Sequence, residues 1–328
     1  MSSPFSVSEE LLPIERIKFR GPLAPRTLTA QVYRATIGSK DYAVKLFLPY
    51  SKEDLCRGRS RLREYNLSDD ELEARFYPWR REMRVYQQID KYIQDPDRQF
   101  FPKYYGATKL SRKLFPRWGY MGDTEDIPVI ILELLDGKEM HNDQYELQIS
   151  DSTRQVAQEL YNYYGIDAEY VHIYIHCMEK IDILHGGRVV HRDIKPDVFM
   201  NCASVIIDFS HSWSWEDGKD EPCLDPFRRR QGPTTFESHS KCERDSFRQL
   251  VTDEHSENRG DDSLRLPPGV VLVQESRSHF REPTLRSCVP FLRDCPRCQQ
   301  AVKEIISTAP EQAEQEGAMT TVQIVSTE

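Results

Sequence analysis

Apolar positions in the first part of the chain alternate with polar ones. The runs at 14–19 (IERIKF), 30–38 (AQVYRATIG) and 41–48 (DYAVKLFL) read as strands, and the Gly38-Ser39 turn joins the second to the third as a hairpin. Residues 51–72 then carry Arg57, Arg59, Arg61 and Arg63, followed at once by Asp69, Asp70, Glu71 and Glu73. That mixture of signs reads as a solvated insertion. Between residues 72 and 93 the period changes. Trp79, Met83, Tyr86, Ile89 and Ile93 recur at three- and four-residue spacing, which predicts one apolar face of a helix whose start Pro78 interrupts.

Two further strands are predicted at 100–110 (FFPKYYGATKL) and 127–135 (IPVIILELL). The second is continuously apolar from Val129 except at Glu133, as expected of a buried strand ending at a polar edge. Residues 152–184 are helical in composition, with a break at Tyr164-Gly165 and a stop at Gly186-Gly187. Two short apolar runs, RVVH and SVIID, then flank a polar turn. Beyond Ser210 the pattern weakens. Residues 237–262 read largely as loop, and 299–328 read as a disordered acidic tail, with Lys303 against Glu304, Glu311, Glu314, Glu316 and Glu328. No internal repeat is present.

Composition narrows the class. A chain of 328 residues has room for two ordinary domains or one large bilobal unit. Its 44 Lys+Arg against 53 Asp+Glu give a net charge of −9, which argues against nucleic acid as a partner. Hydrophobic residues at 38%, with 16 Tyr and 14 Phe, suffice for a core and exclude a wholly disordered chain. The start has no basic region followed by an apolar run, and no segment approaches a membrane span, so the expectation is a protein of the cytoplasm or nucleus with no membrane partner. The 8 cysteines should then be reduced thiols. Cys295-Pro-Arg-Cys298, with Cys288 upstream, is a single C-x-x-C pair and falls short of the two pairs common in a structural zinc site.

The chemistry concentrates in His191-Arg192-Asp193-Ile194-Lys195-Pro196-Asp197, followed by Val205-Ile206-Ile207-Asp208-Phe209. An Asp after a short strand can accept the proton of an attacking hydroxyl, and a nearby Lys can neutralise a transferring phosphoryl group. A second Asp at the end of the next strand can hold Mg²⁺ between phosphates. Here the chain resembles the eukaryotic protein kinase family. HRDIKPD looks like its catalytic loop, and Asp208-Phe209-Ser210 sits where that family has D-F-G.

The resemblance extends over about residues 14–210 and implies further roles. Tyr42-Ala43-Val44-Lys45 resembles the V-A-I-K strand, so Lys45 would contact the α/β-phosphates of ATP, paired with Glu82 or, as its rival, Glu73. Leu132-Glu133-Leu134-Leu135 resembles the gatekeeper and hinge, so Leu132, Glu133 and Leu135 would line the adenine, with Val32 and Ala43 as an apolar roof. Asp193 would be the base, Lys195 the charge clamp and marker of a Ser/Thr acceptor, and Asp208 the ligand of Mg²⁺ or Mn²⁺. The chain also departs from the family. The Gly-rich loop positions are Pro25, Thr27 and Ala30, and the catalytic-loop Asn is replaced by Val198, with Asn201 or Asp197 as substitutes for that metal ligand. The Gly of D-F-G is Ser210, and the letters Ala309-Pro310-Glu311 lie too far downstream to close an activation segment, where Thr234 and Thr235 would sit. Asp245-Ser246-Phe247 would be the remnant of a central helix.

The resemblance therefore implies an α+β class and a bilobal protein kinase-like fold. Residues 1–13 would form an N-terminal extension, 14–135 a small antiparallel-sheet N-lobe, 136–298 a mainly helical, shortened C-lobe and 299–328 the tail. The implied activity is ATP-dependent transfer of the γ-phosphoryl group to a Ser/Thr hydroxyl of a protein substrate. The alternatives are a pseudokinase that binds nucleotide or a partner as a scaffold, and a small-molecule kinase.

Overall fold

The computed structural model describes residues 16–24, 30–48, 77–114, 126–135, 149–200, 205–215, 235–258, 285–288 and 296–307. Strands β1 (Lys18–Pro22), β2 (Ala30–Ile37), β3 (Lys40–Phe47), β4 (Tyr104–Ser111) and β5 (Asp126–Glu133) form one antiparallel sheet in the order β1-β2-β3-β5-β4. The predicted β2–β3 hairpin is present. Gly38 takes φ of +64° at its turn, a left-handed conformation that costs glycine nothing. Register sets Val32 opposite Lys45, Lys45 opposite Ile130, and Ala43 opposite Leu132.

Period two then separates the faces of the sheet. Val44, Leu46, Ile127, Val129 and Ile131 pack on one side with Ala35, Tyr42 and Leu110. Ala30, Phe47, Ile130 and Leu132 point the other way into a larger core shared with the helices.

Helix α1 (Pro78–Tyr92) begins at the proline that the sequence reading took for an interruption. Pro78 occupies the first turn, where a missing N–H costs nothing and a fixed φ is already helical. The charged stretch before it, Glu73 included, lies outside the described residues. Trp79, Glu82, Val85, Tyr86 and Ile89 form the buried face, and Trp79 Nε1 donates to the Val129 carbonyl at 3.2 Å, tying the helix to β5.

Helices α2 (Asp151–Tyr164) and α3 (Ala168–Gly186) divide at the predicted Tyr164-Gly165 break, and α3 stops at the predicted Gly186-Gly187 pair. Ser150 caps α2 by accepting from the Thr153 N–H, and Gly165 ends it at φ of +61°. At Gly187, just after α3, a Cβ would stand 2.8 Å from Ile93 Cδ1, so the α3 stop is pressed against the end of α1. Two two-stranded ribbons follow, β6 (Val189–Val190) with β9 (Trp213–Ser214) and β7 (Phe199–Met200) with β8 (Val205–Ile206).

The expected loop at 237–262 is instead helical as far as 258, as α4 (Phe236–Asn258). Its inner face carries Glu243, Phe247, Val251, Glu254 and His255, all buried. The polar members are partnered inside. Glu254 accepts from the backbone N–H groups of Leu285 and Arg286 in α5 (Leu285–Cys288), and His255 Nε2 accepts from the Asp167 N–H. A reading that equates polar with exposed cannot see such a face. Thr235 Oγ1 accepts from the Ser238 N–H at the start of α4; Thr234 lies outside the described residues.

Residues 299–307, placed by sequence in the tail, belong to α6 (Pro296–Ser307). Its Ala301, Val302 and Ile305 are buried, and the helix packs on α2 and α3. Residues 308–328 lie outside the described residues, as does Cys295; the side chains of Cys288 and Cys298 are likewise not described. The class is α+β, with one five-stranded antiparallel sheet beside a set of helices. Among the described residues no helix is long and apolar enough to cross a membrane.

Candidate active site

Three elements meet at Lys45. It projects from β3 toward the larger core, where its Nζ lies 2.7 Å from Glu82 Oε2 of α1 and 2.6 Å from Asp208 Oδ1 just beyond β8. Lys45 and Glu82 are buried, whereas the Asp208 side chain keeps 34% of its surface exposed. One cation thus serves two carboxylates. Burial pushes the Glu82 carboxyl up to about 7, with Asp208 adding to the rise and Lys45 opposing it. Burial acts on Asp208 in the same direction, but the Lys45 ammonium and the Ser210 hydroxyl outweigh it and hold the group well below the usual carboxylate range. For Lys45 burial favours the neutral amine; the two carboxylates outweigh it and raise its pKa.

Asp208 takes φ of +64°, a left-handed conformation that strains an L residue and persists only where its surroundings hold it. Those surroundings are specific. Ser210 Oγ donates to Asp208 Oδ1 at 2.8 Å, and Arg81 Nη1 donates to the Ser210 carbonyl at 3.2 Å. His191 Nε2 donates to the Ile207 carbonyl at 2.9 Å, and Ser212 Oγ to the His191 carbonyl at 3.0 Å. Phe209, fully buried, meets Tyr86 edge-on at 5.2 Å and His191 at 5.3 Å, and Tyr86 stacks on Tyr104 at 5.4 Å.

The 191–197 loop carries Asp193 and Lys195 at its half-exposed rim. Lys195 Nζ lies 3.1 Å from Asp193 Oδ2 and 3.7 Å from Asp197 Oδ2. The loop is anchored by Glu243 of α4, a residue that the sequence reading did not single out. Glu243 accepts from the backbone N–H groups of His191 and Arg192 and from His185 Nε2, the last at 2.8 Å. Burial opposes its ionisation, yet the His185 hydrogen bond and neighbouring charge outweigh this and lower its pKa. Asp245 is exposed and lies 4.0 Å from Arg248. The signal was spacing: Glu243, Phe247 and Val251 follow at four-residue intervals, so they share a face.

The residues expected at the adenine are distributed around β2, β3 and β5. Val32 and Ala43 are half-buried on the paired strands, and Leu132 is buried opposite Ala43. The Glu133 carboxylate turns toward the chain before β4 and accepts from the Lys103 N–H at 3.1 Å, while its own N–H donates to the Lys103 carbonyl. Leu135 is half-buried at the end of a described segment. Of the loop that replaces the glycines, Pro25 and Thr27 lie outside the described residues, and Ala30 is buried in the core.

The metal ligands are sparse. Val198 is buried, with its N–H bonded to the Lys195 carbonyl and its own carbonyl to the Ile207 N–H; its side chain offers no ligand. Asn201 lies outside the described residues, and Asp197 is exposed beside Lys195. No group of three or more metal-ligating side chains occurs among the described residues. Asp208 nevertheless fits a Mg²⁺ that arrives with phosphates, since it is ionised and accessible, and its Oδ2 takes no hydrogen bond within the described residues.

No family model matches the chain, and no curated protein matches it. The chemical reading therefore rests on the site. It combines a buried ammonium, an ionised carboxylate at its edge, and a separate carboxylate–ammonium pair at the rim. Such a set can clamp a polyphosphate, hold a cation against it and take a proton from a hydroxyl.

Proposed function

We propose that the chain is an ATP-dependent phosphotransferase with a bilobal, protein kinase-like arrangement, transferring the γ-phosphoryl group to a Ser/Thr hydroxyl of a protein substrate. The observation that carries this is Lys45 held between Glu82 and Asp208, residues separated in sequence and delivered by three different elements. Lys45 binds the α/β-phosphates while Glu82 restrains its ammonium. Asp208 and the phosphates hold Mg²⁺ or Mn²⁺, which supplies charge neutralisation of the phosphoryl oxygens. Asp193 accepts the proton of the acceptor hydroxyl, and Lys195, already 3.1 Å from it, compensates charge on the transferring group. The sheet order and the placement of α1 against β5 support the bilobal reading, with 14–135 and 136–298 as its lobes.

A second reading, a pseudokinase that binds nucleotide without turnover, is favoured by Val198, whose buried side chain removes one metal ligand. Purified protein incubated with labelled ATP, Mn²⁺ or Mg²⁺ and a Ser/Thr peptide library separates the two. Label transfer is expected, with Asp193→Asn lowering it by about 100-fold or more and leaving ADP affinity unchanged. Asp208→Asn should lose both transfer and metal-dependent ADP binding. ATP binding with no transfer above that of Asp193→Asn establishes the pseudokinase instead.

A further inference from the structure

Ser210 stands where the resembling family has glycine, and the hydroxyl it adds is not idle. It donates to Asp208 Oδ1, the oxygen that also accepts from Lys45 Nζ. A carboxylate turns easily about its terminal bond, because that torsion is broad and two-fold. One donor on Oδ1 leaves the plane of the group free to swing about that contact. Two donors, arriving from β3 and from the turn after Asp208, fix the plane and reserve Oδ2. The serine is itself held: it is buried, and its carbonyl accepts from Arg81, the neighbour in α1 of Glu82. The turn and the Lys45–Glu82 pair thus hang on the same stretch of α1.

We propose that Ser210 is a positioning residue whose hydroxyl fixes the Asp208 carboxylate so that Oδ2 is the oxygen presented to the divalent cation delivered with the nucleotide. This rests on the phosphotransfer reading for the cation; the fixing of the turn does not. The hydroxyl supplies by side chain a restraint that glycine cannot, and it does so without a second metal ligand at Val198.

The test uses the full chain with Ser210→Ala, which removes only the hydroxyl, and Ser210→Thr, which keeps it. Two readouts are independent of turnover. The first is amide hydrogen exchange in metal-free protein. Exchange of the Phe209–Ser212 amides is expected to accelerate about tenfold in Ser210→Ala, the scale of one lost hydrogen bond, and to stay near wild type in Ser210→Thr. The second is calorimetric titration of ADP at a series of Mn²⁺ concentrations. The Mn²⁺ concentration for half-maximal enhancement should rise about five- to tenfold in Ser210→Ala, while ADP affinity in EDTA stays within about twofold. An unchanged Mn²⁺ midpoint in Ser210→Ala, or equal shifts in the Ala and Thr proteins, overturns the positioning role. Wild-type protein that takes up no ADP at any Mn²⁺ concentration overturns the phosphotransfer reading and the metal role with it. Unchanged exchange overturns the restraint on the turn alone.

Discussion

Lys45 sets one positive charge against two carboxylates, and the way the imbalance is resolved sets the pH behaviour of the site. Asp208 is partly solvated and remains ionised, so the deeper Glu82 carries the cost of the surplus negative charge, with its pKa raised to about 7. The folded state therefore binds the Glu82 proton more tightly than the unfolded chain, whose carboxyl sits near 4.5. Between those two values the unfolded state is the one that releases its proton first, so this group's contribution to stability falls as pH rises from about 4.5 to about 7. Glu82→Gln removes that dependence. Its unfolding free energy relative to wild type should climb by up to roughly 3 kcal/mol between pH 5 and pH 8, as read by urea denaturation at each pH. A flat difference would mean that Glu82 is ionised throughout. The Lys45–Glu82 pairing was legible in the sequence as one of two options, because the resemblance of residues 42–45 to the V-A-I-K strand implies a carboxylate partner and Glu82 lies on the predicted helix, with Glu73 as its rival. The third member was not legible as a partner, since Asp208 had been read only as a metal ligand.

Helix α4 shows how an element can be hidden by its own composition. The hydrophobic pattern at 237–262 is weak because three of its inward positions are Glu243, Glu254 and His255, each buried and each satisfied by backbone groups or by a histidine from another element. Apolar periodicity finds helices that bury carbon. It does not find one whose inner face is an array of hydrogen-bond acceptors awaiting donors from distant segments. Glu243 makes this consequential, since it holds the backbone of the 191–193 turn from below. Truncation in Glu243→Ala strands one buried and one half-buried N–H group and the His185 ring, and should destabilise the protein by about 2–4 kcal/mol in chemical denaturation. Glu243→Gln, which retains a carbonyl acceptor, should recover part of that loss. If Glu243→Ala unfolds at the wild-type denaturant midpoint, the anchoring role is wrong. Other elements were legible for the opposite reason: β2, β3 and β5 alternate or run apolar, and α2 and α3 are separated at Gly165 and ended by the Gly186-Gly187 pair.

Across the whole molecule, one continuous core joins the inner face of the sheet to α1, α3, α4 and α6, while the outer face of the sheet has a smaller core of its own. Trp79 and Trp215 both lie buried along α1: the first bonds to β5, and the carbonyl of the second accepts from Gln88. Sheet and helices should therefore lose structure together. Far-UV circular dichroism and tryptophan fluorescence are expected to give coincident denaturation curves; a fluorescence transition that precedes the loss of helix would show the sheet and α1 detaching first. The sequence by itself determined the strands with period-two or continuous apolar runs, the turn glycines, the order of Lys45, Glu82, Asp193 and Asp208, and the kind of chemistry those side chains can perform. These follow from local rules of backbone sterics and side-chain type. Only the tertiary structure decided that Glu243 supports the 191–197 loop, that residues 299–307 pack as a helix, and that Ser210 and Lys45 share one oxygen of Asp208. Those depend on which buried polar groups find partners far away in the chain, and no local pattern encodes that choice.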